Sequence, residues 1–185
     1  LCRVSLELPF SQMIFGRPKL WSILLYYVIL SAVAVWLLQK KQKKVCYLVF
    51  VFMAIFFLKR TEPKAFSVTF LDVGQGDGIV LRDDTGVTML CDGGSSSVSN
   101  VGKYRILPYL RYHGIDRLDY VFLSHMDMDH INGVRELLER QTCSIKIKNL
   151  VLPAIKNPDE TYLEIERLAA GQKIAVHKMR EGDCI

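Results

Sequence analysis

Hydrophobic residues fall into two long runs before residue 60 and into short, alternating runs after it. The first long run, Leu20 to Leu38, contains no charged residue. As an α-helix it spans about 28 Å, close to the hydrocarbon thickness of a bilayer. Trp21 and Trp36 lie near its two ends, where membrane proteins place interfacial aromatic rings. This pattern predicts a transmembrane helix, and the alternative is a helix buried in a soluble core.

The second long run, Val45 to Leu58, is shorter, and as a helix it reaches only about 21 Å. Lys44 and Lys59 flank it, and their aliphatic stems extend a short span to the headgroup region. Because only segment 39–44 separates the two runs, we predict an antiparallel helical hairpin over 20–60. The segment carries four lysines and is predicted to face the cytoplasm. The chain after residue 60 is then expected on the outer side of a cell membrane.

After the hairpin the pattern changes to short strands and helices. We divide the chain into a segment before the hairpin (1–19), the hairpin, a linker (61–65) and a domain over 66–185. Apolar and β-branched runs predict strands at 66–71, 79–82, 87–91, 118–123, 147–152 and 173–177. Amphipathic or capped runs predict helices at 106–112, after Asn132, and at 159–170. The alternation predicts a layered α/β domain. Because the chain stops in what resembles the start of a strand, we expect it to be a fragment that ends within the fold.

The net charge of +5 arises from the segments that flank the apolar runs, since nine basic residues and one acidic residue lie in 1–60. Residues 61–185 hold 15 basic and 18 acidic residues, so the predicted domain is slightly acidic. A broadly basic nucleic-acid surface is therefore not expected, and a polyanion must meet a local patch or a metal ion. The five cysteines are odd in number and lack CxxC spacing, so we interpret them as apolar fillers.

The segment from His125 to His130 places two imidazoles and two carboxylates within six residues. It follows a predicted buried strand, where a loop is held by the scaffold and remains open to solvent. Nitrogen and carboxylate ligands together suit zinc, manganese or iron better than calcium. We predict a divalent metal, Zn or Mn, bound by His125, Asp127, Asp129 and His130. In an extended loop, residues 125, 127 and 129 point one way and residue 130 turns to a neighbouring site.

Asp129 is the predicted catalytic residue, which orients or deprotonates a water molecule that attacks the substrate. Taken singly, each residue of the loop has an ordinary alternative, a hydrogen-bonded structural histidine or a solvated aspartate. Asp77 and Asp92 either support the metal loop from neighbouring strand ends or accept backbone hydrogen bonds in turns. Gly74 and Gly76 permit a tight turn or a close approach of the backbone. Three basic residues are interpreted as a solvated helix face rather than as phosphate contacts: Lys103, Arg105 and Arg111.

The sequence His-x-Asp-x-Asp-His followed by Ile131-Asn132-Gly133 resembles the metal loop of the metallo-β-lactamase superfamily, whose usual form is His-x-His-x-Asp-His. The resemblance implies that His125 serves a first metal site, and that Asp129 and His130 serve a second. Asp127 stands where that superfamily has its second histidine, and a carboxylate there shifts the preference towards manganese or magnesium. The implied fold is the N-terminal half of the αββα sandwich. The remaining ligands are then expected beyond Ile185, and this chain alone is expected to be inactive.

Four motifs also resemble, in order, the C-terminal domain of the ComEC family of DNA-uptake proteins: 70–77, 90–94, 107–111 and 124–130. That family likewise carries Asp in place of the second histidine and has apolar helices before the domain. The resemblance implies a competence protein that forms a membrane channel, with an external nuclease domain that degrades the non-transported strand. The implied partners are DNA, membrane lipid, other competence or DNA-uptake proteins, and channel helices outside this chain.

Two other functions are compatible with the same residues. One is a metallo-β-lactamase-fold hydrolase of a small ester, lactone or phosphoester. The other is a non-enzymatic domain that supports or gates the channel.

Overall fold

The computed structural model describes Ile14 and residues 16–40, 65–139 and 145–184. Helix α1, Leu20–Lys40, coincides with the first apolar run. Trp21, Leu24 and Tyr27 on this helix are each more than half exposed. Within the described part of the chain, no helix combines the length and hydropathy that a membrane crossing needs. The hairpin prediction is therefore not confirmed, and its second helix and most of its lysine-rich connection lie outside the described residues.

A six-stranded sheet forms the centre of the domain, with its strands in sequence order from β1 to β6. β1, β2 and β3 pair antiparallel, whereas β3, β4, β5 and β6 pair parallel. The strands are Ser67–Phe70 (β1), Ile79–Arg82 (β2), Thr88–Cys91 (β3), Arg117–Phe122 (β4), Lys146–Pro153 (β5) and Ala175–Met179 (β6). The mixed sheet confirms the predicted α/β class.

Helical segments connect the parallel strands. They are the π-helical turn Gly102–Ile106 with α2 (Leu107–Tyr112), α3 (Met128–Glu139) and α4 (Glu160–Gly171). Apolar residues of the strands and helices form one core, in which Leu90, Val121 and Leu150 are fully buried. Helix α4 begins after Asp159, whose carboxylate accepts the Tyr162 N–H at 2.8 Å. The core fixes the strand ends that carry the candidate site.

Helix α3 begins earlier than the sequence predicts. We expected an extended loop through residue 129, but the Asp127 carbonyl accepts the N–H groups of His130 (2.9 Å) and Ile131 (3.2 Å). Asp129 and His130 therefore lie in the first helical turn. The prediction that residues 125, 127 and 129 alternate in an extended loop is wrong, because backbone bonds close the helix within the motif.

The last predicted strand also begins later than expected, at Ala175 instead of residue 173. Helix α4 ends at Gly171 as predicted, but Gln172 and Lys173 continue into a turn. Lys173 has a φ of 59°, and its N–H donates to the Ala170 carbonyl at 3.0 Å. Because this turn satisfies helix-terminal carbonyls, it delays entry into the strand.

Asp119 on β4 is a buried carboxylate held by two cations. Its Oδ1 lies 2.9 Å from both Arg117 Nε and Lys148 Nζ, and its Oδ2 accepts the Thr88 N–H at 3.1 Å. Burial opposes ionisation, but the Lys148 and Thr88 hydrogen bonds and the Arg117 charge outweigh it, so the pKa of Asp119 is lowered. These partners therefore stabilise the ionised form of the buried Asp119 carboxylate.

The described cysteines are free thiols, Cys91 half-buried and Cys184 exposed. Burial, followed by the charge of Asp92, raises the pKa of the Cys91 thiol. Cys91 matches the predicted role of an apolar filler. The exposed Cys184 does not, since it lies near the end of the described chain, outside the packed core.

Candidate metal centre

Three loops meet at one edge of the sheet. The parallel strands β3 and β4 end there, so Asp92 directly follows β3 and Ser124 lies two residues beyond β4. Strand β2 runs antiparallel to β3, with Ile79 opposite Cys91, and this places Asp77 at the same edge. Ligand sites commonly form at the carboxyl ends of parallel strands, because the loops there converge on a rigid base. Chain topology therefore gathers residues that are 15 to more than 50 positions apart.

Glycines allow the backbones of these loops to touch. A Cβ on Gly76 would clash with the carbonyls of Gly94 and Asp129, and one on Gly94 would clash with the Asp129–His130 peptide. Backbone hydrogen bonds join the same loops: Asp77 N–H to Asp129 O (3.2 Å), Gly94 N–H to Asp77 O (3.0 Å) and Gly93 N–H to His130 O (2.8 Å). The close approach predicted for Gly76 is thus observed, and it fixes the metal loop against its two neighbours.

Asp92 is the centre of the hydrogen bonding. Its Oδ1 accepts the Ser124 N–H at 2.8 Å, and its Oδ2 accepts the Ser124 hydroxyl at 2.7 Å. His130 Nδ1 lies 3.1 Å from the same Oδ2, so this nitrogen is the protonated donor. Asp92 reaches this position with a φ of 52°, in the left-handed region that Asp tolerates better than most residues. Of the two alternatives weighed from the sequence, Asp92 shows the contact with the metal loop, because the backbone N–H that it accepts is that of Ser124, 32 positions away.

The same carboxylate also orients His125 through Ser124. Because the Ser124 hydroxyl donates its proton to Asp92, its oxygen accepts from His125 Nδ1, 2.8 Å away. Both imidazoles therefore donate from Nδ1, and their Nε2 atoms take no part in this network. Their ring centres lie 3.8 Å apart. Histidine ligands of metals typically donate the second ring N–H to a carboxylate in this way.

The carboxylates of the loop lie beside these Nε2 atoms. Asp127 Oδ2 is 3.3 Å from His125 Nε2, and Asp129 Oδ2 is 3.8 Å from His130 Nε2. On the other side, Asp77 Oδ2 is 3.6 Å from His130 Nδ1. His130 is largely buried, whereas Asp77 and Asp127 are exposed. The four residues predicted as ligands thus form two close pairs, His125 with Asp127 and His130 with Asp129, and the two imidazole rings are in contact.

Among the described residues, one group of three ligand-type side chains converges on a common point: Asp77, Asp92 and His130 each offer a ligand atom within 4.8 Å of the others' ligand atoms. This group combines imidazole nitrogen with carboxylate oxygen, the donor set that suits zinc and manganese. Of the four predicted ligands, His130 belongs to this group, whereas Asp77 and Asp92, considered from the sequence for a supporting role, are themselves candidate ligands.

Sequence reasoning gave no role to two residues that organise the site. Ser124 carries the link between His125 and Asp92. The Asn132 amide accepts the Ser95 N–H at 2.9 Å and donates to the Ser95 carbonyl at 2.6 Å, which closes the loop after β3 against α3. Both residues lie inside or beside the motif, but their partners are more than 30 positions away. His177, which was given no metal role, lies against Asn149, with His177 Nε2 2.9 Å from Asn149 Oδ1.

Comparison with known proteins agrees with this geometry. The family model of the metallo-β-lactamase superfamily matches residues 71–177, which is more than half of the chain and includes all three loops. The chain belongs to the metallo-β-lactamase superfamily. Members of the superfamily typically bind a divalent metal, and the match confirms the resemblance to the superfamily.

The chain is also similar to the ComE operon protein 3 of Bacillus subtilis (strain 168). The two are 29% identical over 134 residues, which cover 64% of this chain and 16% of that protein. The chain thus spans less than a fifth of the length of this curated relative. The match supports the resemblance to the ComEC family that the four motifs predicted.

Proposed function

We propose that this chain is part of a metal-dependent hydrolase of a DNA-uptake system, and that it acts as a nuclease on the non-transported strand. The observation that carries the proposal is the Asp92 network, in which one carboxylate contacts His130 Nδ1 directly and His125 Nδ1 through Ser124, while Nε2 of each ring lies beside a carboxylate of the loop. Similarity to a protein of a competence operon supports DNA as the substrate.

A bound divalent cation supplies Lewis acidity towards a phosphoryl oxygen and lowers the pKa of a coordinated water. The chain's own residues hold and orient the reacting groups. His125 and His130 would provide imidazole nitrogens, and Asp127 would add a carboxylate beside the first of them. We propose that Asp129 accepts a proton from the attacking water, which its 42% exposure and its position next to His130 Nε2 support.

The metal is proposed to be manganese or zinc. A carboxylate at Asp127 replaces a softer imidazole, and this favours manganese relative to the usual superfamily site. The exposure of Asp77 and Asp127 leaves the cluster open to solvent on one side. We propose that ligands from other parts of the complete protein close this side, and that the chain alone binds metal without turnover.

Attachment to the cell membrane, with the domain on the outer side, is part of the proposal. Exposed apolar side chains on α1, such as Leu24 and Val28, support it. In a variant whose five native cysteines are replaced by serine, cysteines introduced singly at Asp84 and Lys156, both exposed, would react with a membrane-impermeant maleimide in intact cells under this topology. Labelling only after lysis would contradict the outer location.

The decisive assay uses the complete gene product that contains this chain, because the chain spans so little of its curated relative. The purified protein is titrated with Mn²⁺ or Zn²⁺ and offered labelled single-stranded DNA, duplex DNA, a p-nitrophenyl ester and a lactone. We expect metal-dependent DNA cleavage that Asp129→Asn abolishes and Asp84→Asn, in an exposed turn, preserves. Hydrolysis of the small esters without DNA cleavage would contradict the nuclease proposal and favour the small-substrate hydrolase. No hydrolysis of any substrate with either metal would favour the non-enzymatic domain.

A further inference from the structure

We propose that one exposed face of the helical segment after β3 binds a single strand of DNA and guides it to the metal centre. This basic–aromatic face consists of Lys103, Tyr104, Arg105, Arg111 and Tyr112, all exposed. The inference rests on the proposed function in taking DNA as the substrate, and it adds the surface that holds the strand.

Charge separates this face from the rest of the domain. No acidic residue occurs between Gly93 and Ile115, whereas residues 61–185 as a whole have more acidic than basic residues. The three basic side chains of the face are therefore a local positive patch on an acidic domain. A local patch is what a polyanion requires here, since the field of the whole domain repels it.

Aromatic rings lie between the cations. Tyr104 is 58% exposed and Tyr112 is 50% exposed. Lys103 Nζ lies 4.8 Å from the centre of the Tyr104 ring, and the Arg17 guanidinium lies 5.6 Å from the centre of the Tyr112 ring. Exposed aromatic rings among basic side chains are the usual platform for unpaired bases, which stack on the rings while the cations meet the phosphates.

One end of the face contacts the loop and the helix that carry candidate site residues. Arg105 Nη1 lies 3.9 Å from Asp72 Oδ2, in the same loop as Asp77, and the Lys103 N–H donates to Glu136 of α3 at 3.0 Å. The Arg105–Asp72 pair joins two exposed groups, so it is weak enough for a phosphate to replace Asp72. One end of the face is therefore within reach of the residues that would cleave a strand.

The other end of the face meets the segment before α1. Arg17 Nη1 donates to the Tyr112 hydroxyl at 2.6 Å, and the Arg17 N–H donates to the Tyr112 carbonyl at 2.8 Å. Along the helical segment, Tyr104 and Tyr112 are about 12 Å apart. A strand lying on this face would run from the start of α1 to the metal centre.

Anionic lipid headgroups present the same phosphate chemistry, but they do not offer flat bases to the two exposed rings. The test therefore has two arms. Binding of fluorescein-labelled (dT)20 to the chain is measured by fluorescence anisotropy at several salt concentrations, in EDTA so that the metal centre plays no part. Binding to phosphatidylglycerol vesicles is measured by co-sedimentation.

Three variants are compared with the native chain. For Lys103→Gln/Arg105→Gln we expect weaker oligonucleotide binding and a salt slope smaller by about 1.4, which corresponds to two lost phosphate contacts. Tyr104→Ala is expected to weaken binding about 5- to 100-fold and Tyr104→Phe to leave it unchanged, because the ring and not the hydroxyl stacks.

The matched control is Lys156→Gln/Lys173→Gln. It removes two exposed charges that follow β5 and precede β6, on the side of the sheet away from the helical segment after β3, and should leave affinity and slope close to native apart from a small general charge effect. The inference is overturned if this control weakens binding as much as Lys103→Gln/Arg105→Gln. It is also overturned if Tyr104→Ala binds like the native chain, or if the variants reduce vesicle binding but not oligonucleotide binding. If the nuclease proposal alone fails, the chain will still bind the oligonucleotide in EDTA, but the complete protein will show no metal-dependent DNA cleavage.

Discussion

Replacing Asp92 with asparagine tests the central hydrogen-bond network. The Asp92 carboxylate accepts from the Ser124 N–H (2.8 Å), the Ser124 hydroxyl (2.7 Å) and His130 Nδ1–H (3.1 Å). An asparagine amide has one oxygen and cannot accept at both former oxygen positions. If its oxygen keeps the Ser124 N–H, its NH₂ group faces the Ser124 hydroxyl and His130 Nδ1. His130 then gains by moving its proton to Nε2, the nitrogen that would bind metal.

The expected loss of metal affinity in Asp92→Asn is large compared with the expected loss of folding stability. Loss of a carboxylate that orients a histidine ligand typically weakens metal binding about 10- to 100-fold. The folded state loses charge-assisted hydrogen bonds at a site that is only 13% exposed, which costs about 1–3 kcal/mol of unfolding free energy. Metal affinity should therefore fall strongly in a variant that still folds.

Isothermal titration of the chain with Mn²⁺ and Zn²⁺ measures the affinity, and chemical denaturation without metal measures the stability. Asp119→Asn is the matched control, because Asp119 is also a buried carboxylate with three partners but lies away from the metal loop. We expect Asp119→Asn to lower stability and leave metal affinity unchanged. The reasoning is refuted if Asp92→Asn binds both metals within about threefold of the native chain, or if Asp119→Asn weakens binding equally.

Three further predictions concern stability. Because the pKa of Asp119 is lowered in the folded state, its carboxylate stabilises the fold above the unfolded-state pKa of about 3.8, and this stabilisation is lost as the pH falls through the folded-state pKa. Acid titration followed by circular dichroism should show the loss of stability below pH 4, and Asp119→Asn should reduce it. Gly94→Ala should cost about 2–4 kcal/mol in denaturant unfolding, since its methyl group meets the Asp129–His130 peptide; a cost below about 1 kcal/mol would contradict the close packing. Thr88→Val should leave the free energy of unfolding unchanged or raise it by about 1 kcal/mol, because the buried Thr88 Oγ1 has no hydrogen-bond partner. A clear drop in Tm would show that the hydroxyl contributes to stability.

Most strands and helices were predictable, because the spacing of hydrophobic residues along the sequence indicates which side chains are buried. The strand over 79–82 is observed with the predicted bounds, and α4 ends at Gly171 as expected. The start of α3 was missed because the metal motif carries no helix-like apolar pattern before Ile131. Its first turn is closed by the Asp127 carbonyl and held by contacts from the other loops, which no local pattern reveals.

The α/β class, the superfamily and the group of ligand-type residues between His125 and His130 were predictable from the sequence alone, because the signals for all of these lie in contiguous motifs. The orientation of these residues depends on the tertiary structure. The strand order brings Asp77 and Asp92 to the same edge as the motif, and glycines let the three loops pack backbone to backbone. A hydrogen bond between residues 38 positions apart orients His130 Nδ1 towards Asp92, and sequence proximity carries no information about such a contact.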